Sequence, residues 1–350
     1  MGFRTVEITG PAELHVRQGL LIIEKERKTL GIPLSETDSQ KQKKTRTGTK
    51  GKRKPAAVET VKISVPLEDI RTLVCMGASV RISTMAMAQL CQNKITTMML
   101  DEKYRPAGIL TAYESNAQQS LIMRKQVYAD TVRRDILWKH IVAAKIRNQA
   151  NALSLLGLPG RESVLPFAQK AEQSTIADID PIEAAAAKCY FQYLCPDMNR
   201  RDDTPMNSRL NYGYSIIRNS MVRAIIAAGL LPAFGIHHQN QFNAYNLADD
   251  LMEPFRPFVD MIAFGMDGDD EKLTREERKK LAEVTVHAAL LDQKKVSVLR
   301  AIDHVVNDVR SYLEETSDTV HLPDILPIES LSQIKEASFK LIIAIRIMII

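Results

Sequence analysis

A chain of 350 residues with 45% hydrophobic and 25% charged side chains is long enough to bury a sizeable core and to form two domains. Its composition is that of a globular protein. The four cysteines, Cys75, Cys91, Cys189 and Cys195, show no CxxC or Cys/His spacing, which argues against a zinc module or disulfide framework and fits a reducing cytosol. The net charge of +5 is local: KQKKTRTGTKGKRK, Lys41 to Lys54, holds eight basic and no acidic residues, so subtracting it leaves about −3 for the rest.

The chain starts β-like. FRTVEITG, AELHVRQ, LLIIEKE and TVKISVP alternate apolar with polar residues or run short and apolar between Gly, Pro and charged breaks. MAMAQLCQN reads as a short helix, ITTMMLD as another strand, and RPAGILTAY closes the region. Residues 1–112 thus predict a small β-rich domain. It is interrupted at about 28–57 by the basic segment, whose Gly, Thr and Lys content cannot support a core and predicts a mobile loop.

Residues 113–350 predict an almost wholly helical domain. The run from Ala117 to Gly157 keeps an apolar stripe through Leu121, Ile136, Leu137, Ile141 and Ile146. Lys145, Arg147 and other basic side chains around that stripe have a solvated face as their ordinary reading. Further helical runs are predicted at about 181–195, 208–229, 246–264, 274–290 and 294–315. The apolar C-terminal LIIAIRIMII is too short to span a bilayer and is broken by Arg346. No order of charged, apolar and small residues typical of a signal peptide stands at the start.

Three segments hold groups that could carry chemistry. In DIDPIEAAAAKCYFQYL, Asp180, Pro181 and Glu183 have the spacing of an N-cap, a first helical proline and a capping-box acid, and the structural reading is the stronger one there. In LADDLMEPF, Asp250 and Glu253 lie three apart, a spacing that on a helix puts two carboxylates on one face, stabilised by solvent or by a shared cation. His238 stands in a Gly-Ile-His-His turn, where a hydrogen-bonded core histidine is the commoner outcome.

Taken in order, the Pro-x-Glu-Ala-Ala helix start, TPMNSRLNYGYSII, GIHHQNQFN and LADDLMEPFRP resemble the CRISPR-associated adaptation integrases, closest to the type II branch. The likeness extends from GFRTVEI through VPLEDI and the KIRNQ run to FRPFVD. It implies an α+β fold, a small N-terminal β-sandwich followed by a larger all-α-helical catalytic domain, in a homodimer. It assigns Glu183, His238 and Glu253 as catalytic metal ligands, with Asp250 auxiliary, for Mn²⁺ or Mg²⁺. The activity implied is divalent-metal-dependent endonuclease and integrase chemistry, inserting protospacer DNA into a CRISPR array. Because the nucleophile would be the 3′-hydroxyl of the incoming DNA, no Ser or Cys nucleophile is required. The implied partners are double-stranded protospacer and leader-repeat DNA, a small ferredoxin-like companion in a heterohexamer-like complex and other type II CRISPR proteins, in a prokaryotic cytoplasm without a membrane. Lys145, Arg147, Asn240 and Arg256 are candidate DNA contacts. Asn240, Gln241, Asn243 and Asn246 have hydrogen-bonding roles open to them, toward phosphate, metal ligands or backbone.

The same residues suit a structure-specific DNA nuclease that uses water instead of a hydroxyl, and a non-catalytic DNA-binding scaffold is the reading from another class. The basic segment makes its own prediction. Deleting Lys41 to Lys54 is expected to spare folding but weaken DNA binding at low salt and flatten its salt dependence, measured by fluorescence anisotropy across a salt series. Unchanged affinity and slope would assign the segment to spacing instead.

Overall fold

The computed structural model describes residues 4–26, 60–76, 79–101, 106–112, 118–196, 202, 204–266 and 273–327. The basic segment Lys41 to Lys54 and the C-terminal LIIAIRIMII lie outside them. The described residues divide into two units, one ending near residue 112 and one beginning near residue 118.

The first unit holds strands β1 (Arg4–Thr9), β2 (Ala12–Arg17), β3 (Leu20–Glu26), β4 (Thr60–Pro66), β5 (Ile70–Met76), β6 (Val80–Ile82), β7 (Thr96–Leu100) and β8 (Pro106–Leu110), with helix α1 (Thr84–Gln92). They form two four-stranded sheets, ordered β1-β5-β7-β8 and β4-β3-β2-β6. Alternation decides which side is buried: in β2, Ala12 and Leu14 point inward while Glu13 and His15 are exposed. Val6, Ile8, Leu73 and Cys75 of the first sheet share one core with Leu14, Leu21, Ile23 and Val65 of the second. This is the small β-sandwich expected. Two strands, β5 and β6, go beyond the predicted set. β5 is central, parallel to both β1 and β7; a strand buried on both faces reads as a mixed apolar run without clean alternation.

The second unit is mostly helical: α2 (Gln119–Val127), α3 (Thr131–Leu155), α4 (Arg161–Gln173), α5 (Ile176–Leu194), α6 (Pro205–Ala227), α7 (Asn246–Leu251), α8 (Arg256–Phe264), α9 (Arg275–Ala282) and α10 (Val298–Leu313). α3 is its axis, packed against α4, α5, α8 and the 3₁₀ turn Glu253–Phe255.

The structure corrects the predicted elements at specific points. The long run from Ala117 is two helices, because Asp130 caps a new start through a hydrogen bond from the Arg133 amide. α4 was not foreseen. α5 begins at Ile176 behind Thr175, so Asp180 is not its N-cap and Glu183 lies two turns inside it, outside any capping box. The run 246–264 is split into α7, the 3₁₀ turn and α8, since Pro254 and Pro257 remove two amide donors. Residues 288–297 are not helical either. β9 (Ala288–Leu291) and β10 (Lys294–Ser297) form a hairpin whose turn residues Asp292 and Gln293 both have positive φ, and β11 (Asp324–Ile325) pairs with β9. No helix of the described residues is long and apolar enough to cross a membrane.

α6 and α8 pack closely at Gly213, where an added Cβ would stand 2.3 Å from Val259 Cγ1. Alanine gains about 1 kcal/mol of helix propensity over glycine, but overpacking against a stiff β-branched side chain costs about 1–3 kcal/mol. Gly213→Ala should therefore lower the unfolding free energy by up to about 2 kcal/mol in urea melts, and the same change in a Val259→Ala background should be neutral or stabilising.

Candidate active site

Three elements of the helical unit converge. α3 supplies Lys145, α5 supplies Glu183, and the 3₁₀ turn after α7 supplies Glu253. Lys145 Nζ stands 2.5 Å from Glu183 Oε1 and 2.5 Å from Glu253 Oε2. The two carboxylates, distant in sequence, therefore meet on one cation. Glu253 Oε1 accepts from Arg256 Nε at 2.8 Å, and the Arg256 guanidinium lies over the Tyr214 ring, 4.8 Å from its centroid. The Tyr214 hydroxyl donates to Asp260 Oδ1 at 2.5 Å and the Tyr190 hydroxyl donates to Asp260 Oδ2 at 3.1 Å. A buried polar row thus fixes the back of Glu253.

The charges are mutually dependent. Burial alone would push the Glu253 carboxyl up, but the Arg256 and Lys145 cations outweigh it and hold it at about 2. Burial likewise works against a charged Lys145, and Glu253 and Glu183 overcome it, raising the ammonium above its ordinary value.

The histidine comes from the loop between α6 and α7. Asn246 Nδ2 donates to the carbonyls of Ala233 and Asn240, and Gln126 of α2 donates to those of Leu231 and Phe234. Asp250, fully buried, then gathers the tip: its Oδ2 accepts from the amides of Ile236 and His237 at 2.6 and 2.9 Å, and its Oδ1 accepts from the His238 amide at 3.2 Å and contacts His238 Nδ1 at 2.5 Å. Gly235 has no alternative here, because a Cβ would stand 2.3 Å from the His238 carbonyl oxygen and 2.6 Å from Asp250 Oδ2. The Asp250 hydrogen bond raises the His238 pKa above its usual value against the opposing effect of burial, with further help from the charges of Asp250, Glu253 and Glu183. In the neutral imidazole, Nδ1–H donates to Asp250 and the Nε2 lone pair is left available.

Four donors occupy the oxygens of Asp250, and it holds His238 in place. Asp250 and Glu253 sit in successive elements and engage different partners, the loop amides and His238 for Asp250, Lys145 and Arg256 for Glu253. The His237 and His238 rings meet edge to face, 5.5 Å apart, and both lie against Trp138, but their polar partners differ. The His237 ring stacks on Trp138 at 4.5 Å and its Nε2 reaches Asp180 Oδ1 at 3.1 Å. Among the DNA-contact candidates, Lys145 and Arg256 are engaged inside this cluster instead of lying on an open surface, and Arg147 pairs with Glu172. The Asn240 side chain accepts from the Phe242 amide in a local turn, and Asn243 does the same for Tyr245.

Among the described residues no group of three or more His, Cys, Asp or Glu side chains stands arranged around a metal position; the ammonium of Lys145 lies between the carboxylates instead. The donor set itself suits a divalent ion. Two carboxylates and an imidazole nitrogen form a mixed oxygen and nitrogen set that Mn²⁺ favours and Mg²⁺ tolerates. Buried Glu253 Oε2 has no hydrogen bond, only the ion pair with Lys145.

Sequence reasoning placed Lys145 among the DNA contacts and missed its inward pairing, and it missed Asn148 of α3 altogether. Lys145 is buried, and so is Asn148, which donates to the carbonyls of Pro254 and Pro323 and accepts from the Ile325 amide. Both fall on the stripe of Leu137 and Ile141, at 141, 145, 148 and 152. A lysine and an asparagine in core phase were the available signal.

The family model for CRISPR associated protein Cas1 matches residues 41–272, which include Lys145, Glu183, His238 and Glu253. The chain belongs to the Cas1 family. The CRISPR-associated endonuclease Cas1 of Neisseria meningitidis serogroup C (strain 8013) is 29% identical over 271 residues, covering 76% of this chain and 88% of that one. A second CRISPR-associated endonuclease Cas1, from Pyrobaculum aerophilum, is 28% identical over 244 residues, 65% of this chain and 81% of the relative. The fold is shared with a Cas1 protein from Thermotoga maritima, TM-score 0.60 at 16% identity over 88% of this chain and 96% of that one. It is also shared with a casposase bound to integration product, TM-score 0.57 at 19% identity over 91% and 97%. A partial Cas6-RT-Cas1--Cas2 complex gives a TM-score of 0.62 at 16% identity over 93% and 100%.

The buried carboxylate sets the stability expectation. Asp250→Ala leaves three backbone amides without acceptors and should cost about 3–5 kcal/mol of unfolding free energy. His238→Ala removes a half-exposed ring and should cost about 1 kcal/mol. Equal losses in parallel urea melts would refute the role given to Asp250.

Proposed function

We propose that this chain is a divalent-metal-dependent DNA integrase and endonuclease, which inserts protospacer DNA into a CRISPR array by 3′-hydroxyl transesterification. The observation that carries the reading is the convergence of Glu183 and Glu253 on one cation inside the region matched by the Cas1 family model. Glu183, Glu253 and His238 Nε2 are the groups that would hold Mn²⁺ or Mg²⁺. The ion, when bound, supplies Lewis-acid activation of a hydroxyl and charge neutralisation at the phosphodiester. The protein's own part is positional: Asp250 fixes the His238 ring, and Arg256 on Tyr214 fixes the Glu253 carboxylate. The chain need not supply a nucleophile, because the attacking hydroxyl arrives on the DNA.

The partners in this reading are double-stranded protospacer and leader-repeat DNA, a second copy of the chain and a small ferredoxin-like companion, in a prokaryotic cytoplasm. Structural neighbours in complex with Cas2 or bound to an integration product support the kind of partner. The curated relatives' designation as endonucleases keeps DNA cleavage without joining as a second reading. Short duplexes with 3′-hydroxyl ends, incubated with supercoiled plasmid carrying a leader and repeat, separate the two. Joined products support integration, whereas nicking alone supports the nuclease. A scaffold would bind DNA equally in EDTA and give no metal-dependent product.

In that assay Glu183→Ala, His238→Ala and Glu253→Ala should each lower joining by at least about two orders of magnitude while DNA binding is largely retained. His237→Ala should keep both Mn²⁺ affinity and joining. An inactive His237→Ala beside an active His238→Ala would reassign the histidine by one position.

A further inference from the structure

Lys145 occupies an unusual place for a lysine. It lies at mid-helix on the core face of α3, 9% exposed, between the buried Ala144 and Ile146. Its Nζ is equidistant, at 2.5 Å, from one oxygen of Glu183 and one of Glu253. That is the position of a bridging cation, not of a lysine paired with a single acid. The remaining contacts of the cluster divide unevenly. Glu253 Oε1 is held from behind by Arg256, whose guanidinium is committed to the Tyr214 ring, whereas Glu253 Oε2 has only the ammonium. Withdrawal of Lys145 would leave Glu253 in place and expose one oxygen of each acid to the same point.

We propose that Lys145 is a tethered placeholder cation, which holds Glu183 and Glu253 together in the metal-free protein and must be displaced by a divalent ion binding between them. The inference rests on the metal site proposed above. Two facing carboxylates without a counter-ion repel, which costs stability in a packed core. A flexible lysine stem supplies that counter-ion and withdraws by rotamer changes, as a fixed arginine fork does not. Oxygen–metal distances of about 2.0–2.6 Å leave no room for an ammonium bridging the same two oxygens. The apparent affinity for metal is then the intrinsic affinity reduced by the fraction of molecules with Lys145 withdrawn.

The test is Lys145→Met, of similar length and uncharged, compared with the unaltered chain by Mn²⁺ titration followed by electron paramagnetic resonance and by thermal unfolding in EDTA and in saturating Mn²⁺. In EDTA the variant should melt several degrees lower; in Mn²⁺ the gap should shrink, and its Mn²⁺ affinity should be tighter by about tenfold or more. Equal or weaker Mn²⁺ affinity than the unaltered chain, or the same loss of melting temperature in both conditions, overturns the placeholder role. If neither protein binds Mn²⁺, the metal-site reading itself fails, and the inference falls with it. Should Lys145→Met not fold in either condition, Lys145→Arg decides: a bridging cation that withdraws less readily predicts weaker Mn²⁺ affinity than lysine, and unchanged or tighter affinity overturns the proposal.

Discussion

Two carboxylates on the inside of a helical unit have to be compensated, and the surroundings of Glu183 and Glu253 are organised by that requirement. The ammonium of Lys145 lies between them, and the guanidinium of Arg256 neutralises the far side of Glu253. An unpaired charge in this position would cost several kcal/mol, of the order of the whole stability of a domain. The cluster therefore stands or falls as a set. α3, α5 and the 3₁₀ turn are brought together by apolar packing, and the charges decide in what register they meet.

The histidine obeys a different rule. His238 belongs to a loop, and a loop side chain is only as well placed as the backbone under it. Asp250 solves this by accepting from three consecutive amides and from the ring at once, a concave arrangement of N–H groups around a carboxylate. Asn246 and Gln126 pin the rest of the loop through carbonyl groups. The Gly-Ile-His-His turn is thus a mount for the imidazole in which glycine leaves room for the carboxylate and aspartate sets the ring.

The β-alternation of the first unit, the helical character of the second and the segments bearing Glu183, His238 and Glu253 were legible in the sequence. What was not legible had physical causes. Asp250 and Glu253 read as one acidic pair on a single helix, whereas each is held by its own partners, Glu253 by Lys145 from far away in sequence and Asp250 by amides of the loop before the helix. Asp292 and Gln293 adopt positive φ, which neither residue type announces as Gly or Asn-Gly would. Lys145 reads as a solvated charge or a DNA contact because lysine is usually exposed, and its burial depends on acids contributed by segments far along the chain. Pairings of that kind leave little local trace.

The Asn148 clamp has a temporal consequence. Its amide nitrogen holds the carbonyl of Pro254, next to Glu253, while the same side chain grips Pro323 and Ile325, some 175 residues downstream of it. During synthesis from the N-terminus the segments that carry Lys145, Glu183 and His238 emerge first, yet the turn bearing Glu253 cannot be fully tied down until the chain through residue 325 has been made. A nascent or prematurely ended polypeptide would carry all the site's acidic side chains without the fastening that sets their geometry. The setting of the Glu253 turn is in this way deferred until residues 323–325 have joined it.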